Sequence, residues 1–326
     1  MPARRRALFA LLCLVLLALA SLGAALMAGS LALGPGEALS ALLGHDDSLA
    51  GEVVRGLRLP RALAGFACGG LLALAGALMQ VLLRNPLADP YILGISGGAG
   101  VGALLAMLLG ASALLTSGTA FCGAFLAMML VFGLARGAGS WTQPRLLLTG
   151  IIVAAGCGAA ITLILALAPE RQLPGMLFWL MGDLSQALPP APDLIALVVV
   201  LAATLPFARE LNLMAGGMET AQALGVAVGS LRLAIYFLAS LATAVAVTCA
   251  GSIGFVGLLV PHLTRLALGN DQRLLLPAAT LVGGSLLVCA DTLARTVAAP
   301  QQLPVGVLTA LLGVPLFLFL LHRRPA

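Results

Sequence analysis

The chain has 326 residues, of which 61% are hydrophobic and only 9% charged, and its mean hydropathy is +1.11. Soluble globules carry roughly a quarter charged residues, so this composition excludes one. All 17 basic residues are arginine, against 12 acidic residues, for a net charge of +5; with no lysine there is neither a Walker A phosphate loop nor a Schiff-base nucleophile, and any ATP is hydrolysed by another chain.

A bilayer-crossing helix takes about 20 apolar residues. The first apolar run, 7–27, follows Arg4, Arg5 and Arg6. It is longer than a signal-peptide core and reads as an uncleaved first helix. Further spans are expected at 62–83, 91–109, 113–134, 146–167, 194–207, 231–250, 253–268, 274–293 and 305–321. The expectation is an all-α polytopic membrane protein of about ten transmembrane helices in one domain, 1–326.

Two segments between spans stand apart. Residues 169–192 hold an apolar stretch too short to cross, interrupted by Pro174, Gly175 and Gly182, which suits a half-helix on the outer side. Residues 210–230 form a more polar loop with a short helix expected at 218–224. That helix reads either as a cap on the re-entering chain or as a docking surface for a cytosolic engine.

With both termini in the cytoplasm and alternating spans, the cytoplasmic ends hold Arg4, Arg5, Arg6, Arg84, Arg136, Arg145, Arg209, Arg232, Arg265, Arg273, Arg323 and Arg324. The other side holds Arg55, Arg58, Arg61, Arg171 and Arg295. Twelve against five satisfies the positive-inside rule. Arginines at span ends are topology signals, so nucleic acid is not an expected partner. The outer cluster of Arg55, Arg58, Arg61 and Arg295 reads either as an attachment point for an acidic partner or as interfacial snorkelling.

Inside the spans ionisable groups are nearly absent. Asp291 is the clearest exception, with Arg295 four residues on as its expected ion-pair partner. That argues against an ion-coupled carrier, which keeps carboxylates or histidines at membrane depth. Glycines crowd the second and third spans, and the GGAG at 97–100 is read as close helix packing rather than a phosphate loop. Cys13, Cys68, Cys122, Cys157, Cys249 and Cys289 have neither metal-site nor disulfide spacing and read as small core hydrophobes. His262, His45 and His322 are scattered, so no metal site and no resident cofactor are expected.

Several strings together resemble permeases of the FecCD family, the membrane subunits of ATP-binding-cassette (ABC) importers for iron-siderophores, haem and cobalamin. They are RLPRALAG (58–65), GALMQ with RNPLADPYILGISGGAGVGA (76–103), RLLLTG (145–150), FWLMGDL (178–184), METAQALGV (218–226), GSIGFVGLLVPHLTRL (251–266) and LPVGVLTALLGVPLFLFLL (303–321). The resemblance implies a multi-pass permease of the bacterial inner membrane, working as two copies around one pathway. Two cytoplasmic ATPase subunits would dock beneath and a periplasmic substrate-binding protein above.

Carried over residue by residue, the resemblance implies that Arg58, Arg61 and Arg295 meet acidic residues of the binding protein. Gly217, Glu219, Thr220, Ala221, Leu224 and Gly225 would form the ATPase-coupling helix. The cytoplasmic gate would lie at Trp141, Thr142, Gln143 and Pro144, where Gln143 and Pro144 depart from the small hydroxyl residues of many relatives. An iron chelate is the favoured cargo and cobalamin the next. A secondary carrier or channel would need the missing intramembrane charge, and an intramembrane enzyme would need a nucleophile–base or metal constellation the sequence lacks.

Overall fold

Lipid offers backbone N–H and C=O groups no partner, and a helix satisfies them within one segment. The computed structural model describes residues 2–29, 31, 33–44, 49–136, 142–185 and 189–322, and every regular element among them is helical. Trp141, His45, Arg323 and Arg324 lie outside the described residues, as do residues 186–188 of the expected outer half-helix segment.

The first helix, α1, is Pro2–Met27, followed by the short α2 (Pro35–Leu42) and α3 (Leu49–Val53). A π-turn at Val54–Arg58 leads into α4 (Leu59–Leu82). After a 3-10 turn at Pro90–Leu93 come α5 (Ile95–Leu108), α6 (Ala113–Arg136), α7 (Gln143–Leu167) and the half-helix α8 (Leu173–Met181). Next are α9 (Ala191–Thr204), a 3-10 turn at Leu205–Phe207, α10 (Ala208–Gly216) and α11 (Met218–Ala223). The chain ends with α12 (Val228–Ala250), α13 (Val256–Leu268), α14 (Gln272–Thr296) and α15 (Val305–His322).

Each expected span overlaps one of these helices, although 91–109 and 253–268 begin ahead of α5 and α13 and 194–207 runs on past the end of α9. Among the described residues seven stretches are long and apolar enough to cross a bilayer, and three shorter apolar helices, α5, α13 and α15, stand beside them. The 210–230 segment differs from expectation at its start. Residues 208–216 are helical because Ala208, Leu211 and Met214 recur every third residue and bury one face of α10.

The centre of the bundle is α4, buried from Ala67 to Leu82. Its small residues let neighbours approach closely. A Cβ on Gly283 of α14 would stand 2.5 Å from Ala73 Cβ and from the Gly69 carbonyl oxygen. The GGAG glycines do the same work on α5, where a Cβ on Gly98 would lie 2.6 Å from Ala127 Cβ of α6. Packing is thus the role of those glycines. The cysteines depart from expectation. Cys68 is buried, but Cys13, Cys122 and Cys289 lie exposed, because an apolar exterior accepts a thiol as readily as a core does.

The backbone outside the α-helices at 84–94, 182–185 and 251–255 is tied into the protein. Ile253 N–H donates to Tyr91 Oη at 3.1 Å, Asp183 N–H to the Ala250 carbonyl at 2.9 Å, and the Ser96 and Ser252 hydroxyls pair at 2.9 Å. Phe255, at φ 70°, turns the chain into α13 in the left-handed region that few non-glycine residues adopt.

Candidate functional site

Two polar constellations sit at opposite ends of the bundle, connected by α14. At 25 residues and 1.5 Å per residue that helix is about 37 Å long.

At the end where α4 begins, the arginines that the sequence groups only by position come together. Arg61 Nε donates to both oxygens of Asp291, at 3.1 and 3.0 Å, and Arg61 Nη2 reaches Asp291 Oδ1 at 2.8 Å. Arg61 Nη1 donates to Gln302 Oε1 at 2.9 Å, and Asp183 Oδ1 lies 4.0 Å from Nη2. Arg295 Nε stands 3.2 Å from Asp291 Oδ2, the ion pair expected from their spacing. One carboxylate therefore faces two guanidiniums.

Arg58 is used differently. It is buried, and its guanidinium donates to the carbonyls of Leu26 at 2.7 Å, Met27 at 3.2 Å and Leu31. These include the last carbonyls of α1, which have no helical partner and carry the negative end of the helix dipole. Arg295 Nη2 adds a bond to the Ala25 carbonyl at 3.4 Å. Arg55 Nη1 donates to the Ala41 carbonyl at 2.8 Å, closing α2 onto the π-turn. Asp183 and Gln302 complete this end and were not singled out by sequence. Asp183 lies inside the FWLMGDL string, whereas nothing local marks Gln302.

At the opposite end α11 is a six-residue helix between two glycines with positive φ, Gly217 at 157° and Gly225 at 85°. Around Gly225 a Cβ would meet nothing, so the backbone angle alone explains the glycine. Glu219, Thr220, Leu224 and Gly225 are exposed, whereas Ala221 is fully buried and anchors the helix. Beside it a cavity of about 640 Å³ is lined by Phe207, Arg209, Glu210, Leu224, Val226 and Ser230 among others.

The neighbouring α10 is fastened to α14. Asn212 Nδ2 donates to Asp271 Oδ1 at 2.8 Å, and Asn212 Oδ1 accepts from the Gln272 N–H at 2.8 Å.

Thr142 is the N-cap residue of α7, in extended conformation and without a side-chain cap bond. Gln143 Nε2 donates to the Leu82 carbonyl at 3.0 Å, joining the start of α7 to the end of α4. The loop that follows α4 carries Asp89, whose Oδ1 accepts from the Tyr91 N–H at 2.7 Å and caps the 3-10 turn. Burial pushes the Asp89 carboxyl above its ordinary value, partly offset by that bond.

His262 is buried on α13 with its ring 6.4 Å from that of Phe317, and His322 ends α15 exposed. Among the described residues no group of His, Cys, Asp and Glu is arranged to hold a metal ion. On the side of the bundle away from α14, α7 buries only Leu146, Gly150, Val153 and Ile164. An apolar groove of about 910 Å³ runs between α6 and α7 over α5, lined by Leu105, Leu126, Leu130, Ile152 and Cys157 among others.

The model of the FecCD transport family matches residues 13–323. The cobalamin import system permease of Halobacterium salinarum is 42% identical over 281 residues, 83% of this chain and 74% of that protein. The hemin transport system permease of Yersinia pestis is 44% identical over 278 residues, 82% of each chain. The Fe(3+) dicitrate transport system permease of Escherichia coli K12 is 39% identical over 298 residues, 88% of this chain and 89% of that one. A solved structure described as a metal-chelate type ABC transporter in an inward-facing conformation has a TM-score of 0.85 at 30% identity, covering 98% of this chain and all of the other. The PsaBC structure from Streptococcus pneumoniae shares the fold, with a TM-score of 0.55 at 19% identity and 83% of this chain covered.

Proposed function

Because this chain belongs to the FecCD transport family, we propose that it is the permease subunit of an ABC importer that carries an iron chelate, haem or cobalamin across the bacterial inner membrane. The observation that carries this reading is the family match over 13–323 together with a bundle whose two ends hold two different polar constellations. An iron chelate is the favoured cargo, with cobalamin next. The relatives named for hemin and Fe(3+) dicitrate, at 44% and 39% identity, support that preference, and the cobalamin relative at 42% keeps cobalamin next.

In this reading ten helices cross the membrane, both termini are cytoplasmic, and two copies enclose the pathway. The exposed length of α7 and the apolar groove beside it support a second copy on that side. The end with Arg58, Arg61 and Arg295 faces the periplasm and receives the substrate-binding protein. Arg61 and Arg295 meet its acidic side chains directly, and Arg58 contributes by fixing the end of α1 and the turn after it. Charge pairs at such a rim set orientation and association rate more than bulk affinity.

Two ATPase subunits dock on the other face. Glu219, Thr220, Leu224 and Gly225 form the exposed contact, Gly217 and Ala221 hold it in place, and an ATPase element enters the adjoining cavity. When ATP closes the ATPase pair, α11 moves as a rigid piece, and the Asn212 junction passes that motion from α10 to α14. Thr142 and Gln143 form the cytoplasmic gate, closed in part by the Gln143–Leu82 bond. This chain has no catalytic residue in the scheme. It orients, opens and excludes.

The test is uptake by proteoliposomes containing this chain, its ATPase and its binding protein. Cyanocobalamin, hemin, ferric citrate and a panel of ferric siderophores are each supplied with and without ATP on the ATPase side. ATP-dependent accumulation of one of them is the expected result and identifies the cargo. Accumulation driven equally well by an ion gradient without ATP would overturn the reading.

A further inference from the structure

Asp291 is the most deeply placed charge of the arginine end. Its side chain is 4% exposed, against 14% for Arg61 and 12% for Arg295, so both arginine side chains are more open than the carboxylate they share. Arg61 binds Asp291 through two of its three nitrogens and uses the third on Gln302. An acidic side chain arriving from outside therefore finds guanidiniums already committed to an internal carboxylate.

Within this cluster Arg58, Arg61 and Arg295 stand with Asp183 and Asp291, and Asp291 is the carboxylate that Arg61 and Arg295 share. Neutralising Asp291 leaves both guanidiniums without it. We propose that Asp291 is a positioning residue that sets docking strength: it holds Arg61 and Arg295 against the bundle, and acidic side chains of the binding protein engage them only by competing with its carboxylate. The inference rests on the docking reading above.

Two consequences follow from the geometry. Competition weakens docking most at low ionic strength, where a partner's field reaches furthest. It also acts mainly on association, because the barrier is met on arrival. Arg61 further ties α4 and α14 to Asp183, just after α8, and to Gln302, just before α15. A partner that draws Arg61 away loosens both attachments at once.

The experiment measures docking of the binding protein that stimulates this importer's ATPase onto the assembled importer in nanodiscs, following association and dissociation rates as salt is varied. Asp291→Asn is expected to tighten binding about three- to tenfold at low salt, chiefly through association. The gain should vanish near 1 M salt, where the Debye length is about 3 Å. Asp291→Glu, which keeps the carboxylate, should restore wild-type rates.

If Asp291→Asn leaves binding unchanged while Arg61→Glu and Arg295→Glu weaken it, the competitor role is wrong and the docking reading stands. Weaker binding by Asp291→Asn also overturns the role, making the carboxylate an indispensable anchor. If both arginine reversals leave binding unchanged, the docking reading itself fails. Should Asp291→Asn not assemble, Asp183→Asn carries the same comparison, because it removes the second carboxylate beside Arg61 without opening the buried pair. A smaller gain is then expected, and no gain overturns the proposal.

Discussion

Asn212 grips the first residue of α14: its Oδ1 accepts from the Gln272 N–H at 2.8 Å while its Nδ2 donates to Asp271 Oδ1 at 2.8 Å. Asp271 in turn caps α14 through the Arg273 N–H at 3.1 Å. Asn212→Ala removes both bonds, and at about 1 kcal/mol each it should lower stability by about 1–2 kcal/mol. Under the coupling scheme it should also raise the ATP hydrolysed per cargo molecule. Asn212→Asp sets a second carboxylate against Asp271 and should do more harm. Thermal unfolding of the purified importer and the ATP-to-cargo ratio in proteoliposomes check both points; an unchanged ratio in Asn212→Ala means the junction does not transmit.

The closeness of α4 and α14 gives a second test. A Cβ at Gly283 meets Ala73 Cβ and the Gly69 carbonyl at 2.5 Å, and neither can retreat without moving a helix. Gly283→Leu should therefore destabilise by about 1–3 kcal/mol or more, as overpacked cores do. Gly133 on α6 has nothing within 4 Å of a Cβ, so Gly133→Ala should be neutral or slightly stabilising. Melting of the two variants in the same detergent separates them, and equal losses would show that crossing distance is not what these glycines serve.

The helices were legible because an apolar run of about 20 residues has few alternatives in lipid. Legibility failed where the pattern is not local. Arg295 finds Asp291 one helical turn away, and sequence spacing is enough to pair them. Arg61 reaches the same carboxylate from 230 residues off, and only the α4–α14 crossing brings it there. Gln302 and Asn212 carry no motif of their own and become visible only as the partners of Arg61 and of the α14 cap. The family strings found the regions of the candidate site, while which side chain touches which came from packing.

Asp89 predicts a pH dependence. Its carboxyl is held above the ordinary value of 3.8, chiefly by burial, so the folded chain binds that proton more tightly than the unfolded one. Stability from this group is then fully present below about 3.8 and is lost as pH rises through the raised value. Asp89→Asn keeps an acceptor for the Tyr91 N–H and carries no charge, so it should melt higher at neutral pH and lose the acid-side slope. Asp89→Ala loses the acceptor and should melt lower, by the roughly 1 kcal/mol of a lost cap. Melting temperature against pH for the three proteins decides it, and an unaltered slope in Asp89→Asn assigns the dependence elsewhere.

The gate proposal meets its sharpest test at Gln143. Its side chain is the bond that joins the first residue of α7 to the last turn of α4, through Nε2 and the Leu82 carbonyl at 3.0 Å. α4 is buried nearly throughout, so the bond fastens the start of α7 to the fixed centre of the bundle. Gln143→Leu keeps the bulk but removes the donor and should let α7 swing from α4 without ATP. The expected signature is increased leak of preloaded cargo from proteoliposomes, with ATPase assembly intact. Gln143→Asn keeps a donor on a shorter arm and should leak by an intermediate amount. Equal, low leak from all three proteins would remove Gln143 from the gate and leave the bond as a packing contact.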